Sequence, residues 1–187
     1  VQALEGALIS HKSGLYYLAG TIQPVQLYVP ATGEPVLLVR RNQERVQVES
    51  PWRTIAMRSF RHLADTLTQQ ATLPAAAKLG LELDVMPVLT FRRYQKALPA
   101  VEWHDVGALL RQQRMIKTEW EVKQLRDIRP LADKMLASVS DLLEAGITEV
   151  EFAGRMEAFA RARHHSGRSW LRGYNMEMYW GHIIAGA

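Results

Sequence analysis

Val25-Gln26-Leu27-Tyr28-Val29-Pro30-Ala31-Thr32-Gly33-Glu34-Pro35-Val36-Leu37-Leu38-Val39 sets two apolar β-type runs on either side of a short polar segment. The Gly33 within Ala31-Thr32-Gly33-Glu34 suits a tight turn, so residues 25–29 and 35–39 are expected to pair as an antiparallel hairpin. Upstream, Ala7-Leu8-Ile9 reads as a short buried strand. Downstream, Ser59 can cap a helix whose apolar face is Phe60, Leu63, Ala64 and Leu67. Residues 79–85 then alternate Leu81 and Leu83 against Glu82 and Asp84, the pattern of a strand with one polar side. Pro87 opens a further helix in which Val88, Phe91, Tyr94, Gln95 and Leu98 recur at helical spacing, and Pro99 ends it. A strand over 101–106 and a helix over 108–114 complete the alternation. Strands interleaved with helices around one hairpin predict an α/β domain with a mixed sheet.

The texture changes at Thr118. Thr118-Glu119-Trp120-Glu121 is a capping box, and Leu125, Ile128, Ala132, Met135, Val139 and Leu142 step along one helical face. Pro130 removes a backbone donor, so a kink or weak turn is expected near residues 127–130. Gly146 suits a left-handed stop. Thr148-Glu149-Val150-Glu151 is a second capping box, with Ile147 and Phe152 placed as a hydrophobic staple. The reading is therefore of helices over 118–145 and 148–164, then aromatic-rich strands after Ser166-Gly167. A boundary is expected near residues 107–118.

The composition, 48% hydrophobic and 22% charged over 187 residues, is that of a globular protein. A net charge of +4, evenly spread, makes no case for nucleic acid as a partner. No stretch reaches the roughly 18 uninterrupted apolar residues of a membrane-spanning helix, so neither a span nor a membrane partner is expected. Cysteine is absent, which removes disulfides, thiolate zinc sites and thiol nucleophiles and is compatible with a cytoplasmic location. Val1 opens without an initiator Met, and Ile183-Ile184-Ala185-Gly186-Ala187 ends the chain in an apolar run, where domain ends are ordinarily polar; a piece of a longer protein is expected.

His164 and His165 are adjacent at a helix end, where neighbouring side chains diverge by about 100°, and they suit a solvated, dipole-compensating role better than joint ligation. No Gly-x-Ser-x-Gly elbow supports a serine triad. Gly14, Gly20 and Gly33 are too scattered for a nucleotide fingerprint. Arg155, Arg161, Arg163 and Arg168, interleaved with Glu151 and Glu157, read as a solvated helix face, and Arg40-Arg41 and Arg92-Arg93 read the same way. The tail from Trp170 to Trp180 mixes rings with Arg172, Asn175 and Glu177, a composition equally suited to a cleft wall or to an aromatic sheet core. His182 lies in Tyr179-Trp180-Gly181-His182-Ile183 and is a pocket-lining or core imidazole with no partner in view.

These pieces together resemble the pita-bread metallopeptidases, the family of aminopeptidase P, proline dipeptidase (prolidase) and creatinase. Gly6-Ala7-Leu8-Ile9 followed by Leu15-Tyr16-Tyr17-Leu18-Ala19-Gly20 is similar to the family's opening strand and its N-x-x-Tyr-Leu-(Thr/Ser)-Gly segment, with Gly14 where Asn usually stands and Ala19 in place of the hydroxyl residue. Leu79-Gly80-Leu81-Glu82 resembles a later strand of its N-terminal domain. Arg114-Met115-Ile116-Lys117-Thr118-Glu119-Trp120-Glu121 is similar to the Arg-x-Ile-Lys-(Ser/Thr)-x-x-Glu approach to its catalytic domain, and Glu144-Ala145-Gly146-Ile147-Thr148-Glu149 to the helix junction that follows.

The resemblance implies a creatinase-like N-terminal domain over 1–115, with a mixed sheet and flanking helices. Over 116–187 it implies the first helices and strands of an incomplete pita-bread α+β domain. For the intact parent it implies hydrolysis of peptide bonds preceding proline by water bridging two divalent ions (Mn, Co or Zn), a proline-containing peptide as substrate, and a homodimer. The family's ligands, two Asp, one His and two Glu, come from strands beyond the end of this chain. No catalytic or metal residue is transferred to it, and this chain is expected to bind no metal and to be inactive by itself. Tyr17, which matches the family Tyr, and His182, in its aromatic strand, are the candidates to face the substrate cleft. The alternatives are a non-catalytic peptidase-like binding module and a creatinase-like amidino hydrolase.

Overall fold

Val36-Leu37-Leu38-Val39 is buried at every position, and its neighbours alternate between two apolar clusters: Val36 and Leu38 pack with Leu8, Tyr28 and Ile55, while Leu37 and Val39 pack with Ile9, Leu27 and Val46. A strand with period-two side chains can be apolar throughout only if both sheet faces are covered. The computed structural model describes residues 3–71, 73, 74, 76–173, 176–179 and 183–185, and shows that arrangement.

The strands are β1 (Gly6–Ile9), β2 (Gln26–Pro30), β3 (Val36–Val39), β4 (Arg53–Ala56), β5 (Lys78–Leu81), β6 (Glu102–Asp105), β7 (Arg168–Trp170) and β8 (Glu177–Tyr179). The helices are α1 (Lys12–Ala19), α2 (Gln43–Glu49), α3 (Leu63–Gln70), α4 (Val88–Ala97), α5 (Gly107–Met115), α6 (Glu119–Ala137), α7 (Val139–Leu142) and α8 (Glu149–Arg161). Six strands form one sheet in the order β4-β3-β2-β1-β5-β6. β1, β2 and β3 pair antiparallel, whereas β3–β4, β1–β5 and β5–β6 are parallel, so the sheet is mixed. Leu63 and Leu67 of α3, Tyr94 of α4 and Leu98 at the C-cap of α4 cover one face. Leu15, Ala19 and Val46 from α1 and α2 cover the other, and Leu110 of α5 packs against that same cluster. Gly80 permits the close approach of β5 to this second layer: a Cβ there would stand 2.4 Å from Val106 Cγ1.

The chain divides into two compact units, Val1–Gln113 with Arg172–Tyr174, and Arg114–Leu171 with Asn175–Ala187. In the second, Thr118 and Thr148 cap α6 and α8 as expected, each closing a box with Glu121 and Glu151. Gly146 takes φ 91°. β7 and β8 pair antiparallel.

Several expectations need correction. The alternation over 79–85 does not make a strand with a polar side: β5 stops at Leu81, and Glu82 is 1% exposed. β5 runs between two parallel neighbours under covered faces, where polarity at one position reports a buried partner instead of solvent. Ser59 makes no cap bond; its hydroxyl lies 2.9 Å from His62 Nδ1, and the first turn, Phe60–His62, is 3-10. Val88 is exposed, leaving Tyr94 and Leu98 as the buried residues of that face. The helix over 118–145 continues through Pro130 and breaks instead at Ser138, whose buried hydroxyl donates back to Met135 O at 2.9 Å. α8 ends at Arg161 and not at His164, because His164 takes φ 68°. The side chains of Arg168, Trp170, Glu177 and Tyr179, and residues 174, 175 and 180 of the ring-rich tail, lie outside what the structure describes.

Candidate functional site

The most heavily buried charges gather beyond the carboxyl ends of β1 and β5, the edge where open α/β sheets build ligand sites. β1 ends at Ile9 and turns at once into α1, whose N-cap is His11. Glu82, immediately after β5, accepts from Ser10 N at 3.0 Å and His11 N at 2.8 Å through Oε2. These amides open α1, where backbone donors and the helix dipole favour an anion. Gly14 makes the approach possible: a Cβ there would lie 2.7 Å from Glu82 Oε1 and 2.8 Å from Ile9 Cγ2. The glycine that departs from the family's Asn is thus a steric requirement of this site.

Two residues on, Asp84 pairs with Arg111 of α5. Asp105 holds the intervening turn by accepting from Leu83 N and Gly107 N, each at 3.0 Å. Arg172 completes the cluster: Nη1 donates to Glu82 Oε1 at 2.6 Å and Nη2 to Asp84 Oδ1 at 2.8 Å. Two carboxylates face two guanidiniums, which is the balance a buried ionic group needs.

His11 lies at the rim. Its Nδ1 accepts from Ser13 N at 3.3 Å and sits 2.8 Å from Ser13 Oγ. Burial pulls its pKa below the usual histidine value, outweighing the attraction of Glu82, and Arg172 pulls it the same way. Burial pushes the Tyr94 hydroxyl up to about 12, against a hydrogen bond to Ser10 that lowers it. The Glu82 and Asp84 carboxylates are thus engaged by guanidinium and amide donors, and His11 Nδ1 by the helix it caps.

Among the described residues no group of three or more His, Asp or Glu could hold a metal ion, so the ion pair implied by the family resemblance does not fit any described group. Tyr17 sits in the middle of α1, partly exposed, on the helix that His11 caps. His182 lies outside the described residues. Of the arginines expected to be solvated, Arg161 and Arg163 are exposed, as are Arg40, Arg41, Arg92 and Arg93; Arg161 pairs with Glu157 at 2.6 Å and the Arg163 guanidinium lies 3.5 Å from the Phe159 ring centroid, whereas Arg155 is only partly exposed and pairs with Glu144 at 3.1 Å. Sequence reasoning missed the Glu82–Asp84–Arg172 cluster. The usable signal was a carboxylate directly after the apolar run Leu79-Gly80-Leu81. No described helix is long and apolar enough to cross a membrane.

The chain is 24% identical over 157 residues to the Xaa-Pro dipeptidase of Pyrococcus horikoshii, covering 83% of this chain and 43% of that protein. Its fold matches the Xaa-Pro dipeptidase from Bacillus anthracis with a TM-score of 0.78 at 18% identity, over 89% of this chain and 47% of that one. The dipeptidase PepE from Mycobacterium ulcerans matches at a TM-score of 0.70 and 25% identity, over 89% and 47%. The chain therefore spans less than half the length of these relatives. Residues 1–116, which include β1 to β6 and the Glu82 cluster apart from Arg172, match the model of the Creatinase/Prolidase N-terminal domain, and the chain belongs to that family.

Proposed function

We propose that this chain is the front part of a metal-dependent Xaa-Pro peptidase of the aminopeptidase P or prolidase type. In this reading residues 1–115 shape the entrance to the cleft and contribute to a homodimer, and residues 116–187 begin the catalytic domain. The observation that carries it is the family match over residues 1–116, followed directly by two helices with capping boxes. When bound, a pair of divalent ions would lower the pKa of a water and polarise the scissile carbonyl.

The chain's contribution is positional. In this reading Tyr17, on α1, faces the cleft, and His182 is the second candidate to do so. The substrate is a peptide with proline after the scissile bond, and the location is cytoplasmic. The test is an assay of the full-length protein with Mn, Co or Zn on Xaa-Pro dipeptides and longer Xaa-Pro peptides, with creatine as the control substrate. Cleavage of proline peptides that is abolished by a chelator is expected. Activity on creatine alone, or on neither, would overturn the proposal. Tyr17→Phe in the active protein is expected to raise KM with little change in kcat, as for lost ground-state binding.

A further inference from the structure

Arg172 stands apart from the other arginines whose side chains are described in the second half of the chain. Its side chain is 9% exposed, and its partners Glu82 and Asp84 lie 90 and 88 residues earlier. In its own stretch Leu171, Met176 and Met178 are exposed, so among the described residues there no apolar side chain is buried beside it.

The socket that receives it is assembled by the first unit's own contacts. Glu82 spends Oε2 on Ser10 N and His11 N, leaving Oε1 directed at the guanidinium. Asp84 engages Arg111 through Oδ2, leaving Oδ1 for the second nitrogen. Asp105 fixes the Leu83 amide between them. Two fixed oxygens on separate carboxylates match the two terminal nitrogens of a planar fork, whereas an ammonium is a single point of charge. Arg172 Nε is buried without an acceptor among the described residues, so recognition runs through the two Nη atoms. His11 is the other titratable group at the Glu82 carboxylate, and its lowered pKa keeps it from competing as a cation near neutrality.

We propose that Glu82 and Asp84 form a guanidinium receptor in the first unit, that Arg172 is its resident ligand, and that this fork tethers the chain at residue 172. This inference stands independently of any peptidase activity. Removing the side chain leaves a buried carboxylate facing a space of guanidinium shape, a state that a matching small cation can repair.

The experiment uses the whole chain carrying Arg172→Ala, with thermal unfolding followed in ethylguanidinium or ethylammonium chloride at equal millimolar concentration. Ethylguanidinium replaces the atoms removed and is expected to raise the Tm of the variant while leaving the wild type unchanged; ethylammonium is expected to raise neither. An equal response of the variant to both cations, or the same response from the wild type, overturns the proposal. If the alanine variant does not fold, Arg172→Lys keeps a charge and loses the fork. Amide exchange in the peptide spanning residues 171–178 is then expected to accelerate by about tenfold, the scale of one charge-assisted hydrogen bond. Exchange at the wild-type rate overturns it.

Discussion

Gly14 and His11 show how a single side chain sets the terms of the buried cluster. A methyl group at position 14 would collide with both Glu82 and Ile9, one polar and one apolar neighbour, and neither can retreat without breaking its own packing. Gly14→Ala is expected to cost about 1–3 kcal/mol, the usual penalty for overpacking, although alanine is the better helix former; a lowered midpoint in urea checks it. His11 gives a pH signature. Its folded pKa is depressed below 6.5, so the unfolded chain binds the proton more readily. Its contribution is complete above about 6.5 and is lost as pH falls from there toward the folded value. The Tm of the wild type is expected to drop between pH 7.5 and 5.5 by more than that of His11→Asn, which keeps a capping side chain without a titrating ring; equal drops would contradict this.

At the scale of elements, what was legible in the sequence was local. The hairpin of β2 and β3 and the boxes at Thr118 and Thr148 are written within a few residues of one another, and each formed as read. Thr148→Ala is expected to cost about 1 kcal/mol of α8 stability, visible as faster amide exchange in residues 149–152. What the alternation misjudged was Glu82, because its partners Ser10, His11 and Arg172 are remote in sequence and a buried charge carries the same letter as an exposed one. The break at Ser138 was hidden likewise: a hydroxyl bonding back to Met135 outweighs the continuous apolar stripe, while Pro130, the obvious breaker, leaves the helix running. The cleft role of Tyr17 rests on resemblance and that of His182 on its aromatic strand, since nothing in composition or spacing assigns either a partner.

At the scale of the molecule, the two units differ in how they satisfy their apolar residues. The first buries Leu, Ile and Val on both sides of its sheet, whereas α6 buries none of its residues and Trp120, Leu125, Ile128 and Leu136 are all more than half exposed. Such a face on a chain of this size invites association. Light scattering of the 187-residue chain is expected to show concentration-dependent dimers or larger species, suppressed when Leu125 and Ile128 are replaced by Gln; a monodisperse monomer would contradict this. The sheet order has a consequence for biosynthesis. Of the six strands of this sheet β1 leaves the ribosome before the others yet lies inside the sheet, with β2 on one flank and β5 on the other. The near flank closes early, and the far one waits for Lys78 and the residues after it. Throughout that interval the nascent chain displays a row of unpaired amides and carbonyls, and a ribosome stalled there would hold a template for mispairing with its neighbours.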